Sequence, residues 1–249
     1  MDLVIGLDIG QRVDPTAIAV AEITGDIPPA FVIRFLERLT LSTPYPDVAA
    51  RVVEVARNAV QRAVRPAVGI YSDGGRVGAE PGVRPSLTLV TDITGVGRPV
   101  HEIIARAITE ARLEAAGAAS VRLEPATFTH GDRLNRADDG GHSVGKAHLV
   151  SRLQALLQTG RIRLPRTRES EPLAKELLDY EIHITEDAND RYGAFKVGTH
   201  DDLVTALGLA VLLDRSAHGT SGWWCPNGTW MCSNGHGACA RQPTAAGRW

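Results

Sequence analysis

The stretch LVIGLDIGQRVDPTAIAVAEI, residues 3–23, decides the fold of this chain. Its first half is an apolar run that stops on a carboxylate, Asp8. A polar turn follows at Asp14-Pro15-Thr16-Ala17, then a second apolar run, AIAVAEI. Runs rich in Val and Ile, punctuated by Gly, Pro and Asp, read as strands. A third such run, residues 31–39, follows a short Gly/Pro linker. Linkers this short favour an antiparallel meander.

Further along, the pattern changes to alternation. Residues 47–64 carry Val48, Val52, Val55, Ala56, Ala59, Val60 and Ala63 at helical spacing, after the start signal Ser42-Thr43-Pro44. Residues 65–85 are rich in Gly, Pro and Arg and read as an exposed loop holding a short strand at 67–71. SLTLVT, residues 86–91, is a buried-type strand ending at Asp92, and TGVG leads into a helix over 98–115. A strand at 120–123, a polar loop or hairpin at 130–145, a helix at 146–159, an extended piece at 161–164 and a helix at 170–180 come next. Short strands at 181–185 and 192–197 flank a turn, and a last helix covers 200–213. Three strands followed by alternating helices and strands predict an α/β fold. Its mixed five-stranded sheet has three antiparallel strands, then parallel ones, with flanking helices.

At 249 residues with 43% hydrophobic and 22% charged residues, the chain can build a core without staples. The expected division is a domain over 1–215 and a Cys/Trp/Gly-rich tail over 216–249, disordered or zinc-binding. A net charge of −2 demands no polyanionic partner, so any nucleic-acid surface is a local patch. The apolar stretches fall short of the ~20 residues a membrane span needs, and no basic, then apolar, leader opens the chain. The expectation is a cytoplasmic protein without a membrane partner.

The last helix gives Asp8 its meaning. It opens as GTHDDLVTALGLAVLL, residues 198–213, with adjacent carboxylates Asp201 and Asp202. Asp8 and Asp92 both end strands. If those strands are neighbours, their carboxylates sit side by side, and the helix can bring a third. Clustered carboxylates raise one another's pKa unless a cation neutralises them. Mg²⁺ or Mn²⁺ suits hard oxygen ligands, and two such ions about 4 Å apart can clamp a phosphodiester. Each Asp taken alone also fits an ordinary turn or helix-capping role. Asp201 reads as the cap and Asp202 as the ligand, and adjacency leaves either open. Asp73 rivals Asp92 as second ligand.

The order of elements and the three acidic positions resemble the RNase H-like, retroviral-integrase-like nucleases. More closely, the chain is similar to the C-terminal nuclease domain of the large terminase subunit of tailed bacteriophages. The strings that carry the likeness are GLDIGQRVDPTAIAVAE (6–22), LERLTLSTPYPDV (36–48), TLVTDITGVGRPV (88–100), VGKAHLVSRLQALLQTGRIRL (144–164), LLDYEI (177–182) and GTHDDLVTALGLAV (198–211). The resemblance implies metal-dependent endonucleolytic cleavage of double-stranded DNA during genome packaging. It places metal ligands at Asp8, Asp92 and Asp202, with Asp201 as substitute, and His200 near the metals, where it orients a water or caps the helix. Lys146 matches a position close to the DNA path. Complete large terminases also carry an ATPase motor with a phosphate-binding loop, and this chain begins at the first nuclease strand. The expectation is a stand-alone nuclease, a separately encoded half or a shortened chain. Its partners would be a separate terminase ATPase, the small terminase subunit or the portal. A Holliday-junction resolvase, an RNA–DNA hybrid nuclease and a non-catalytic packaging adaptor remain as alternatives.

Other signals weigh less. GGHSVGKA, residues 140–147, nearly matches a phosphate-binding loop, but Ala147 stands where the Mg²⁺-binding hydroxyl belongs. GLDIG also resembles the first phosphate loop of the actin-like sugar kinases, which need two related domains. Arg133, Arg136, Lys146 and Arg152 belong to a basic middle region that offers phosphate contacts, or simply a charged face. In the tail, Cys225, Cys232, His236 and Cys239 supply a tetrahedral donor set for Zn²⁺, at spacings unlike those of a standard finger.

Overall fold

The computed structural model describes residues 1–10, 14–65, 68–72, 75–80, 82–95, 97–137, 140–184, 190–193, 200–213, 223–224 and 230–231. The chain divides into two units, Met1–Leu213 and Asp214–Trp249. Within the second, the strands Trp223–Trp224 and Trp230–Met231 pair antiparallel.

The first unit is built on the opening stretch. Strands β1 (Asp2–Asp8), β2 (Ala17–Ile23) and β3 (Phe31–Arg38) form the expected meander. Helix α1 (Tyr45–Ala63) follows, then a separate hairpin of β4 (Val68–Ser72) and β5 (Gly75–Glu80). Strand β6 (Ser86–Asp92) returns beside β1 in parallel, and helix α2 (Gly97–Ala111) leads to β7 (Ser120–Thr129), parallel to β6. The sheet is completed by β8 (Leu134–Arg136), β9 (His142–Gly145) and, after helix α3 (Lys146–Gln158), the short β10 (Ile162–Arg163). Helix α4 (Ser170–Asp179), the hairpin β11 (Glu181–Ile184) with β12 (Asp190–Gly193), and helix α5 (Asp202–Ala210) close the unit.

The sheet has eight strands in the order β10-β3-β2-β1-β6-β7-β9-β8. The five expected strands form its centre, and β8, β9 and β10 extend it. The polar 130–145 segment supplies two of these strands because its backbone continues the ladder beside β7. Strand β7 also runs past Leu123, where the sequence reading stopped, and carries Pro125 within the sheet.

Each face of the sheet has its own core. One buries Leu3, Ile5, Leu7, Ile18, Val20, Leu87 and Leu89 against α1 and α2. The other packs Val4, Ala17, Ala19, Ala21 and Val90 against α3, α4 and α5. Apart from Asp202 and Thr205, helix α5 is apolar all round, and every one of its residues is buried. Such a helix is stable only inside a protein. It lies directly on β1: a Cβ on Gly6 would sit 2.1 Å from the Ala206 carbonyl oxygen and 2.4 Å from the Ala210 nitrogen. On its outer side, a Cβ at Gly208 would sit 2.3 Å from a methyl of Leu149 on α3. Among the described residues no helix is long and apolar enough to cross a membrane.

Candidate functional site

Strands β1 and β6 are parallel and in register, Leu7 facing Thr91, so Asp8 and Asp92 end side by side at one sheet edge. Strand side chains alternate between faces. Asp8 shares a face with Val4 and Gly6, and Asp92 shares it with Val90, so both acids lie on the α5 face. Ala206 and Ala210 of α5 cross Gly6. One turn before Ala206 is Asp202, which is thereby carried toward the strand-end acids. Asp202 is 1% exposed.

The electrostatics report the convergence. Burial pushes the Asp8 carboxyl well above the usual carboxylate range, and the negative charges of Asp92, Asp202 and Asp201 push it further. Burial likewise raises Asp92, against two stabilising hydrogen bonds involving Thr94 and the positive charge of Lys146. The Thr94 amide donates to Asp92 Oδ1 at 2.8 Å, which fixes that carboxylate's orientation. Asp202 is pushed up to about 6, first by burial and then by Asp14 and Asp201, while Arg38 and His200 oppose the rise.

A second group of donors shares Asp202. The Nδ1 of His200 lies 3.8 Å from Asp14 Oδ1 and 3.9 Å from Asp202 Oδ2, and a ligand atom from each of the three falls within 4.8 Å of the others. Asp14 is exposed, in the segment that leaves β1, and it was not among the sequence candidates. A usable signal was present: an acid in the turn that directly follows an acid-ended strand. Arg38 and Glu176 were missed as well, and no sequence pattern announces them. Arg38 Nε lies 3.1 Å from Asp202 Oδ2, and its Nη2 pairs with Glu176 Oε1.

The remaining candidates divide. His200 precedes α5 and does not cap it. Asp201 occupies the N-cap position but makes no side-chain cap bond. Lys146 opens α3 at the end of β9, and its charge draws down both Asp8 and Asp92. Its Nζ also lies 5.7 Å from the centre of the Phe128 ring. Arg133 is exposed, and its carbonyl accepts from the Gly145 amide at 2.7 Å, beside Lys146. Arg136 is engaged with Glu124, at 2.8 Å, and with His142, at 3.1 Å. Arg152 donates to the Val211 carbonyl at 2.5 Å and stacks over Phe31, at the end of α5 opposite Asp202. Asp73, Cys225, Cys232, His236 and Cys239 lie outside the described residues.

The donor set fits a hard divalent cation. Asp8, Asp14, Asp92, Asp201 and Asp202 face the permanent cations Arg38 and Lys146, so negative charge is in excess. Carboxylate-dominated sites suit Mg²⁺ or Mn²⁺ better than softer metals.

No protein-family model matches this sequence, and no curated protein matches it significantly. Solved structures do share its fold. The large terminase nuclease from thermophilic phage G20c with bound magnesium aligns at a TM-score of 0.51 with 20% identity, covering 84% of this chain and 79% of that one. The same nuclease with bound cobalt aligns at 0.50 with the same identity and coverage. The fold is therefore the RNase H-like one expected from the sequence.

Proposed function

We propose that this chain is a divalent-metal-dependent endonuclease that cuts double-stranded DNA in the manner of a terminase nuclease. The observation that carries the reading is that Asp8 and Asp92 end neighbouring parallel strands, with Asp202 at the start of α5 in electrostatic reach of Asp8 and within 4.8 Å of ligand atoms of Asp14 and His200. The sharing of a fold with a terminase nuclease that binds magnesium supports it. Asp8, Asp92 and Asp202 would hold one ion, with Asp201 as an alternative ligand. Asp14, His200 and Asp202 would contribute to a second ion. Bound Mg²⁺ or Mn²⁺ would supply Lewis acidity, making water a stronger nucleophile and stabilising charge on the leaving 3′-oxygen.

The chain's own groups do the rest. Asp8 lies between Asp92 and the α5 acids in electrostatic reach and is the natural shared ligand. Lys146 supplies a fixed positive charge beside the acids, where a DNA phosphate would lie. Arg133 extends that positive surface. The His200 imidazole would orient a water or accept its proton.

In this reading residues 1–215 are the nuclease and 216–249 a tail. The protein acts on concatemeric DNA in a bacterial or phage-infected cell, beside a packaging motor. Incubation with supercoiled plasmid and Mn²⁺ tests the activity: the wild type linearises or nicks DNA and Asp8→Ala does not. Cleavage that survives Asp8→Ala sinks the assignment. Preferential cutting of four-way junctions or RNA–DNA hybrids over linear duplex would move the enzyme to another branch of the same fold.

A further inference from the structure

The start of α5 is capped from outside. A helix leaves its first amides without partners, and a side chain at the N-cap usually accepts from them. Asp201 stands at that position and does not. Instead Glu176, on α4 and 7% exposed, turns Oε2 toward α5 and accepts from the Leu203 amide at 2.9 Å and the Val204 amide at 3.1 Å. Its other oxygen pairs with Arg38, whose Nε is 3.1 Å from Asp202 Oδ2. One guanidinium thus ties together the capping carboxylate and the candidate metal ligand.

Arg38 reaches this position through an irregularity in the sheet. Between β2 and β3 the pairing passes from Ala21–Ile33 to Val20–Phe35, leaving Arg34 as an extra residue. A bulge of this kind reverses the alternation of side chains beyond it. Phe31 and Ile33 face the α5 core before it, and Leu36 faces the same core after it. Arg38 follows Leu36 in phase. Strict alternation counted on from Phe31 and Ile33 would instead have turned it toward α1.

We infer that Arg38 and Glu176 are positioning residues for the metal centre: Glu176 caps α5 so that Asp201 and Asp202 keep their carboxylates for cations, and Arg38 fixes the Asp202 carboxylate. This rests on the metal-dependent reading of the site. The two roles predict opposite signs for one variant. By charge alone, removing a cation beside Asp202 tightens metal binding. By positioning, removing Arg38 loosens it, on the order of tenfold or more, as for other residues that orient metal ligands.

The test is calorimetric titration of the full chain with Mn²⁺ at pH 8, with hydrogen exchange of the Leu203 and Val204 amides in metal-free protein. Glu176→Ala should weaken Mn²⁺ binding about tenfold or more and expose both amides. Glu176→Gln should keep both amides protected, because an amide oxygen accepts the same two bonds, and should recover Mn²⁺ binding only in part, because its NH₂ then faces the Arg38 guanidinium in place of Oε1. Arg38→Ala should weaken Mn²⁺ binding. Arg38→Lys, which can meet one carboxylate but not bridge two in a fork, should recover only part of it. If Glu176→Ala does not fold, the Gln and Lys variants carry the comparison. Unchanged or tighter Mn²⁺ binding in Arg38→Ala overturns the inference, as does Glu176→Gln behaving like Glu176→Ala. Wild type that neither binds Mn²⁺ nor cuts DNA removes the functional reading and this inference with it. Wild type that does both while the variants match it removes the inference alone.

Discussion

The two faces of the sheet are built to different tolerances. Toward α1 and α2 the central strands present Leu3, Ile5, Leu7, Ile18 and Val20, and the helices stand off by the depth of those side chains. Toward α5 the same strands present Val4, Gly6, Ala17, Ala19 and Ala21, and the helix backbone comes down onto the strand. A layer of large side chains absorbs small errors by changing rotamers. A backbone resting on a glycine has nothing to move. The acids sit on the second face, where α5 lies so close to β1 that no side chain fits between them at Gly6. The difference teaches that small residues can specify a site as sharply as polar ones.

The sharpest way to break this contrast is Gly6→Ala. The new methyl would overlap the Ala206 carbonyl and the Ala210 nitrogen, so α5 must shift and carry Asp202 away from Asp8. Cleavage should fall by roughly a thousandfold, the order of a lost metal site worth several kcal/mol. Thermal melting should show a loss of about 1–3 kcal/mol or more from overpacking. Near-normal cleavage would show that the close face is more forgiving than its geometry implies.

A second test follows from the carboxylates. In the absence of metal, Asp202 titrates near 6 rather than its usual 3.8, and Asp8 and Asp92 shift the same way. The folded chain then holds these protons more tightly than the unfolded chain. Their contribution to metal-free stability is present at low pH and is lost as pH rises through the folded-state values, near 6 for Asp202. Mn²⁺ reverses the sign by binding only the ionised cluster. At 100 times its dissociation constant it should stabilise the fold by about 2.7 kcal/mol at pH 8, and by little at pH 5. Melting curves at both pH values, with and without Mn²⁺, check this. Equal stabilisation at both would place the metal elsewhere.

On the opposite face the effects should shrink. Ile104→Val removes one methylene from a fully buried position on α2 and should cost about 0.5–1.5 kcal/mol in melting experiments. Plasmid cleavage below the melting range should be unchanged. At the smallest end, Arg51→Ala breaks partly exposed pairs with Glu37, at 2.8 Å, and Glu54, at 2.6 Å. It should cost under about 1 kcal/mol and leave Mn²⁺ binding intact. A loss of cleavage from either variant would show that the two faces are coupled.

Much of this was legible beforehand. The meander, the return of β6 and the final helix are long apolar runs, and the strand-end acids stand out as lone charges within them. Asp8, Asp92 and the Asp201–Asp202 pair could therefore be picked out from position and residue type, without deciding between the last two. The edge strands were legible only in outline, β10 as an extended piece at 161–164 and β8 within a polar loop or hairpin at 130–145, because two or three residues carry no period to detect. Asp14 was visible as a turn residue but not as a neighbour of His200, since nearly two hundred residues separate them. Arg152 was legible as a basic residue, but its bond to the Val211 carbonyl at the end of α5 was not, since that depends on where its guanidinium points.

By itself the sequence determined the kind of sheet, the helix that must be buried and the acids available to it, because periodicity and residue type are local properties. The tertiary structure alone decided which of those acids meet, that α5 rests on Gly6, and that its cap comes from Glu176 through Arg38. Those depend on register, on one extra residue in β3 and on contacts across the whole chain. A single-residue change in alternation turns a side chain to the other face of a sheet, and no local pattern records that it has happened.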